Sequence, residues 1–202
     1  MKQIAILASC ILLLISCTQT NPAEEYYKKG DATGRLKDYK DAIIEYNKAI
    51  ALNPNMAKAY NERAICKNEL KDFKGAIADY TKAIELSPKD FWTYNNRGIA
   101  KFNSGDYNAA LEDYTKSLEL NPRYTDTYYN IGLCKHEMKD YQGAVEGFTE
   151  SIELDTSYAE TYYYRGVSKK ELEDYIGACS DWIKAKTLGS KTADSLINKH
   201  CK

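Results

Sequence analysis

Histidine is nearly missing from this chain: of 202 residues only two, His136 and His200, are histidine. That leaves few places for the commonest general base and metal ligand. There is no Gly-rich phosphate loop, no His-Glu-x-x-His pair, no Cys-x-x-Cys pair and no Ser elbow. These absences argue against catalysis and against a bound cofactor or metal. An excess of one charge is missing too. With 28 basic and 29 acidic residues the net charge is −1, and no basic patch of the kind nucleic acid requires is visible. The apolar run Ile4 to Ile15 has 12 residues, against the roughly 20 a helix needs to span a bilayer.

What the chain does have is a repeat. A stretch of 34 residues, Ala57 to Asp90 in its most regular form, recurs five times without a gap, as 23–56, 57–90, 91–124, 125–158 and a shortened 159–188. Self-similarity at so long a period marks a repeat array. Numbering each copy from 1, position 4 is Tyr throughout (Tyr26, Tyr60, Tyr94, Tyr128, Tyr162). Position 8 is small (Gly30, Ala64, Gly98, Gly132, Gly166), and position 20 is always Ala. Positions 17 and 24 are aromatic, and position 27 is Ala or Ser. Positions 17, 20, 24, 27 and 28 fall at helical spacing, so the second half of each copy is an amphipathic helix. Tyr at 4 and a small residue at 8 stack on one face of a first helix. Between them stands Asp at position 16 in every copy (Asp38, Asp72, Asp106, Asp140, Asp174), a helix N-cap worth about 1 kcal/mol each. Pro54, Pro88 and Pro122 at position 32 are expected to stop the second helix; the fourth copy has Thr156 instead. Each copy is thus a helix hairpin.

An aromatic at 4, small residues at 8 and 27, Ala at 20, an aromatic at 24 and Pro at 32 resemble the tetratricopeptide repeat. The resemblance covers residues 23–188. It implies an all-α fold, a right-handed α-solenoid of five hairpins, closed by a C-terminal capping helix within 189–202. There Ala193, Leu196, Ile197 and His200 share one face. The chain departs from the family at position 7, often Leu, which reads Lys29, Arg63, Arg97, Ile131, Arg165. Position 23 reads Glu45, Asp79, Asp113, Gly147, Asp181, acidic wherever 7 is basic. An ion pair between the two helices of a hairpin follows. Position 11, often Tyr in the family, is Lys in four copies, whose stems are expected on the seam with their amines in water.

Residues 1–16 read as a secretory signal, with Lys2 before the apolar run. Leu14-Ile15-Ser16-Cys17 resembles the lipobox of bacterial lipoproteins, which implies a bacterial source and acylation of Cys17. Residues 17–22 would then be lipidated Cys and a short tether, and Thr18 to Pro22 reach at most about 18 Å. The expected location is the cell envelope, with the outer membrane ahead of the inner because Thr18 is no obvious retention signal. Cys66 and Cys134 share position 10, two repeats apart, too far to bridge, and are expected to be buried free thiols. Cys179 and Cys201 would approach if the last helix folds back; spacing alone leaves open whether they pair.

The family resemblance places positions 2, 5, 6, 9, 12 and 13 of the first helices on a concave face. Those positions supply Tyr27, Asn61, Ile65, Asn68, Trp92, Asn95, Asn96, Ile99, Phe102, Tyr129, Asn130, Leu133, His136, Tyr163 and Tyr164. A carboxamide both donates and accepts, so the row Asn61, Asn95, Asn96, Asn130 is suited to hold an extended peptide backbone, similar to the asparagine ladder of some tetratricopeptide domains. His136 is expected to pack or hydrogen-bond, having no visible catalytic partner. The residues that chaperone-tail-binding members of the family use are not supplied by any three consecutive copies. The expected function is therefore a membrane-anchored scaffold binding a protein or extended peptide in its groove. The alternative is a structural, self-associating protein whose groove is not a ligand site.

Overall fold

The computed structural model describes residues 21–201. The signal sequence, Cys17 and most of the tether lie outside the described residues. Among the described residues eleven helices follow one another: α1 (Pro22–Arg35), α2 (Tyr39–Leu52), α3 (Ala57–Glu69), α4 (Phe73–Leu86), α5 (Phe91–Asn103), α6 (Tyr107–Leu120), α7 (Thr125–Glu137), α8 (Tyr141–Leu154), α9 (Ala159–Glu171), α10 (Tyr175–Thr187) and α11 (Ala193–His200). They pair in order as α1·α2 to α9·α10, each second helix packs on the next first helix, and α11 closes on α10. The result is an all-helical solenoid of five hairpins with a terminal cap.

The turn inside each hairpin has one design. The last carbonyls of the first helix bind the amides of positions 15 and 16, as in Lys71 N to Asn68 O (2.9 Å) and Asp72 N to Lys67 O (2.8 Å). That arrangement needs a left-handed residue at position 15. Only the third copy has a glycine there, Gly105; Lys37, Lys71, Lys139 and Glu173 hold φ of 62–64°. The Asp at 16 then caps the second helix in all five hairpins, for example Gly75 N to Asp72 Oδ1 at 3.0 Å.

Proline is not required to end the second helix. α8, with Thr156 in place of Pro, stops at Leu154, the same register as α2, α4 and α6. In three copies position 31 folds its side chain onto the amide two residues on, while α4 ends in the same register beside Ser87. Asn53 Oδ1 accepts from Asn55 N, Asn121 Oδ1 from Arg123 N and Asp155 Oδ1 from Ser157 N.

The two helices of a hairpin touch through positions 8 and 24. A Cβ on Gly98 would lie 2.5 Å from the Tyr114 ring, on Gly132 2.6 Å from Phe148 and on Gly166 2.6 Å from Trp182. Tyr46, Tyr114, Phe148 and Trp182 are correspondingly almost fully buried.

The expected pair of positions 7 and 23 forms in three hairpins: Arg63–Asp79, Arg97–Asp113 and Arg165–Asp181, each through two N–H···O bonds of 2.6–2.9 Å. The first hairpin differs, since Lys29 turns to Glu25 and Glu45 to Lys48. Three of the four lysines at 11 do not extend to water. Lys67, Lys101 and Lys169 lie 2.7–2.8 Å from the same aspartates, because one buried carboxylate has acceptor room for two cations. The Arg then reaches back to position 25 of the preceding hairpin, as Arg97 Nη1 does to Thr81 Oγ1 at 3.0 Å. One buried ion triad therefore ties a hairpin together and to its neighbour. In the fourth hairpin the triad is replaced by contact: Gly147 lets the backbone of Gly132 approach within 3.0 Å of where a Cβ would stand.

α11 buries Ala193 and lays Leu196 and Ile197 on the cluster around Tyr162, Ala178 and Trp182. Cys179 and Cys201 are joined by a disulfide, Cα atoms 5.6 Å apart. Cys66 and Cys134 are free and buried.

Candidate functional site

α5, α7 and α9 stand side by side, and between them lies a cavity of about 490 Å³. Trp92, Asn96 and Ile99 line it from α5, Tyr129 and Asn130 from α7, and Glu160 from α9. Tyr124 and Tyr158, the residues just before α7 and α9, add two more aromatic walls, and Asp126 adds a second carboxylate. Phe91 holds Tyr124 edge-on at 5.0 Å. Tyr129 rests against Phe148 and Tyr164, ring centres 5.8 and 6.1 Å away. Burial and the nearby Asp126 push the Tyr124 hydroxyl up to about 12, so it is a hydrogen-bond donor at any physiological pH. Burial first, then Tyr164 and Glu160, raise Tyr129 further in the same direction. The cavity is thus aromatic-walled, carboxamide-floored and rimmed by two acids.

The asparagine row is divided by the structure. Asn61 and Asn95 are buried, at 8% and 2% exposure. Asn61 Nδ2 donates to Thr93 Oγ1 at 2.8 Å, and that hydroxyl donates to Asp90 Oδ2 at 2.6 Å. Asn95 Oδ1 accepts from Thr127 Oγ1 and from Asn130 Nδ2, both at 3.0 Å. These two amides join one first helix to the next, where an unmade bond would be costly. Only Asn96 and Asn130 present a carboxamide to the cavity as half-buried groups. The threonines at position 3, Thr93 and Thr127, were not among the sequence candidates. Their signal is readable: Thr stands at 3 wherever the preceding copy has Asn at 5.

The remaining candidates lie apart from this cavity. Tyr27 packs on Tyr46 (5.9 Å) under the amine of Lys58 (4.3 Å). Ile65 lines a smaller hollow of about 240 Å³ between the first two hairpins, beside Glu62, whose carboxyl is raised by burial and by Asp31. Asn68 Oδ1 accepts from Asn103 at 3.3 Å. Phe102 packs on Tyr107 at 5.4 Å. Leu133 is half-buried. Tyr163 and Tyr164 stack edge-on at 5.2 Å, and Tyr163 O accepts the indole N–H of Trp182. His136 Nδ1 meets Ser168 Oγ at 2.9 Å. The single Ser168 proton goes to Tyr164 O at 3.0 Å, so His136 donates, fixing it as a packing and hydrogen-bonding residue. Among the described residues no group of His, Cys, Asp and Glu is placed to hold a metal ion, and no helix is long and apolar enough to cross a membrane.

A solenoid of helix hairpins with a lined concave cavity is the architecture of a protein-interaction scaffold. Family models described as tetratricopeptide repeat match residues 23–56, 57–90, 91–124 and 113–146, and the chain belongs to the tetratricopeptide repeat family. No curated protein sequence matches the chain. Solved structures similar to it include MamA, residues 41 to the end, from Desulfovibrio magneticus RS-1. That match has 18% identity and a TM-score of 0.77, over 85% of this chain and 97% of that one. Pseudomonas aeruginosa pilF is 21% identical, TM-score 0.78, over 87% and 80% of the two chains. YrrB, described as a TPR protein with an unusual peptide-binding site, is 20% identical, TM-score 0.69, over 86% and 90%. At these identities the likeness is one of fold.

Proposed function

We propose that this protein is a noncatalytic scaffold that holds an extended segment of a protein partner against the concave face of repeats three to five. The observation that carries the reading is the cavity between α5, α7 and α9, where apolar walls surround a few convergent polar groups. Asn96 and Asn130 are placed to pair with a peptide backbone, and Trp92, Tyr124, Tyr129 and Tyr158 to receive side chains. YrrB, a similar fold, is described as having a peptide-binding site, which supports the same use here. The lipobox-like Leu14 to Cys17 supports a lipid anchor on Cys17, and with it a place in a bacterial envelope complex, at the outer membrane ahead of the inner.

A photo-crosslinking residue placed at Trp92 or Asn96 tests the groove, with Lys74 on the opposite face as control. The groove positions are expected to capture discrete protein partners in cells that Lys74 does not. Equal capture from both faces overturns the reading. Labelled palmitate tests the anchor: incorporation into wild type and its loss in Cys17→Ala is expected, and equal incorporation in the two overturns it.

A second reading is self-association. In copies one to four, positions 18 and 25 of the second helix are polar, but in the fifth they are Ile176 and Ile183, exposed at 89% and 50% beside a half-exposed Tyr175. Light scattering over a hundredfold concentration range tests it. A dimer that Ile176→Lys abolishes favours this reading; a monomer throughout removes it.

A further inference from the structure

The groove is not electrically neutral where its cavity lies, and this names the chemistry of what would enter. The two charged side chains lining the cavity, Asp126 and Glu160, are both acidic, and no lysine or arginine lines it. Both occupy position 2 of their repeats, at the N-terminal ends of α7 and α9. In the second repeat the same position is Lys58, and it is neutralised by Glu24 at 2.8 Å. Asp126 and Glu160 take no part in any ion pair among the described residues, and both are exposed. Farther along the concave edge, Glu137 adds another negative charge to α7, and the one lysine there, Lys170, is already paired with Glu171 at 2.8 Å.

The walls speak for the same ligand. Trp92, Tyr124, Tyr129 and Tyr158 offer π-faces whose quadrupole attracts a cation. Tyr129 and Tyr164 both feel the charge of Glu160, and Tyr124 feels that of Asp126. The carboxylates thus line the same cavity as the aromatic walls. A long aliphatic stem ending in a positive group matches such a site: the stem lies on rings and Ile99 while the head reaches the acidic rim. An acidic segment would meet two unpaired carboxylates and is disfavoured by like charge.

We infer that the segment recognised by this groove is basic, and that a lysine or arginine side chain of the partner enters the cavity between Trp92 and Tyr129 to meet Asp126 and Glu160. This rests on the groove reading above and sharpens it.

The test begins with a displayed library of random dodecapeptides panned on the purified chain, residues 18–202. Enrichment of sequences with a central Lys or Arg beside an aliphatic or aromatic residue is expected. One enriched peptide, labelled with a dye, is then titrated in its Lys form and with that Lys replaced by norleucine, against wild type and Asp126→Asn/Glu160→Gln. Anisotropy of the dye reports occupancy in every variant, including the one that lacks Trp92. Removing either side of the charge pairing is expected to weaken binding by about tenfold or less, and removing both should cost little more than removing one. The Lys peptide should also lose affinity as salt rises. Peptides that bind the groove without a cation, or equal affinity for the double variant, overturn the inference while the groove reading stands. A library that yields no binder, or binders that Asn96→Ala/Trp92→Ala leaves unaffected, overturns both.

Discussion

Thr127 donates its hydroxyl to the side-chain oxygen of Asn95 at 3.0 Å, and both residues are almost fully buried. That bond crosses from the third repeat to the fourth, and Ser117 extends it by donating to Thr127 at 3.2 Å. An asparagine in the row of groove residues is thereby a joint of the solenoid. Asn95→Ala is expected to destabilise the chain by about 1–3 kcal/mol, because it strands buried partners. The half-buried neighbour Asn96 accepts from Asn95 Nδ2 only at a long 3.5 Å, so Asn96→Ala should cost less, about 1 kcal/mol or below. Urea unfolding followed by circular dichroism separates the two, and only Asn96→Ala is then a clean probe of ligand binding.

Asp113 is 4% exposed and holds both Arg97 and Lys101. Its removal in Asp113→Ala leaves two cations without their partner and is expected to cost about 3–5 kcal/mol. The exposed pair Lys82–Glu85 is the contrast: Glu85→Gln should cost less than about 1 kcal/mol. Denaturant midpoints at constant m-value check both.

Two glycines in equivalent hairpins should respond oppositely to alanine. At Gly34 a Cβ meets Ala42, Cys66 and Tyr46 only at 3.7–3.8 Å, so Gly34→Ala is expected to stabilise the first hairpin by about 1 kcal/mol. At Gly166 a Cβ would fall 2.6 Å from the Trp182 indole and 3.1 Å from the carbonyl of Ala178. Gly166→Ala should therefore destabilise by about 1–3 kcal/mol. Thermal melts of the two variants beside wild type test the sign.

The Cys179–Cys201 disulfide closes a loop of 22 residues. Cys201→Ser is expected to lower stability by about 3 kcal/mol and to raise amide exchange in α11 first, since that short terminal helix packs chiefly on α10. Uniform exchange across all hairpins would contradict this.

Alkaline pH should unfold the array. Burial pushes the Cys66 and Cys134 thiols up to about 11 from an ordinary 9.0, and raises Tyr46, Tyr80 and Tyr114 above 10.0. Each group keeps its proton longer when folded than when unfolded. Stability is therefore full below about pH 9 and falls as pH rises from there. Urea midpoints between pH 7 and 11 measure it, and a flat profile would refute it. At pH 8 iodoacetamide should leave both thiols intact until the chain unfolds.

The hairpins, their caps and the pairing of positions 7 and 23 could be read from the sequence because they are local. A helix face, an Asp three residues before the amide it caps, and two residues 16 apart within one hairpin all leave a fixed spacing. Repetition showed that spacing five times over. What escaped reading depended on neighbours across a seam. The lysines at position 11 were expected in water, yet Lys67, Lys101 and Lys169 share the aspartates at 23, because burial leaves a carboxylate with acceptors to fill. The helix stop was assigned to Pro, yet α8 ends in register without one, with Asp155 folding onto the amide of Ser157. The asparagine row looked uniform, and only the approach of the next first helix decided that Asn61 and Asn95 would be buried while Asn96 and Asn130 faced the cavity. Tyr124 and Asp126 at the start of α7 and Tyr158 and Glu160 at the start of α9 are a full repeat apart, so no spacing within one hairpin joins the two pairs. By itself the sequence determined the repeat unit and its number, since each copy repeats the same local contacts. The cavity and its charge were decided by tertiary structure alone, since they exist only where three first helices meet.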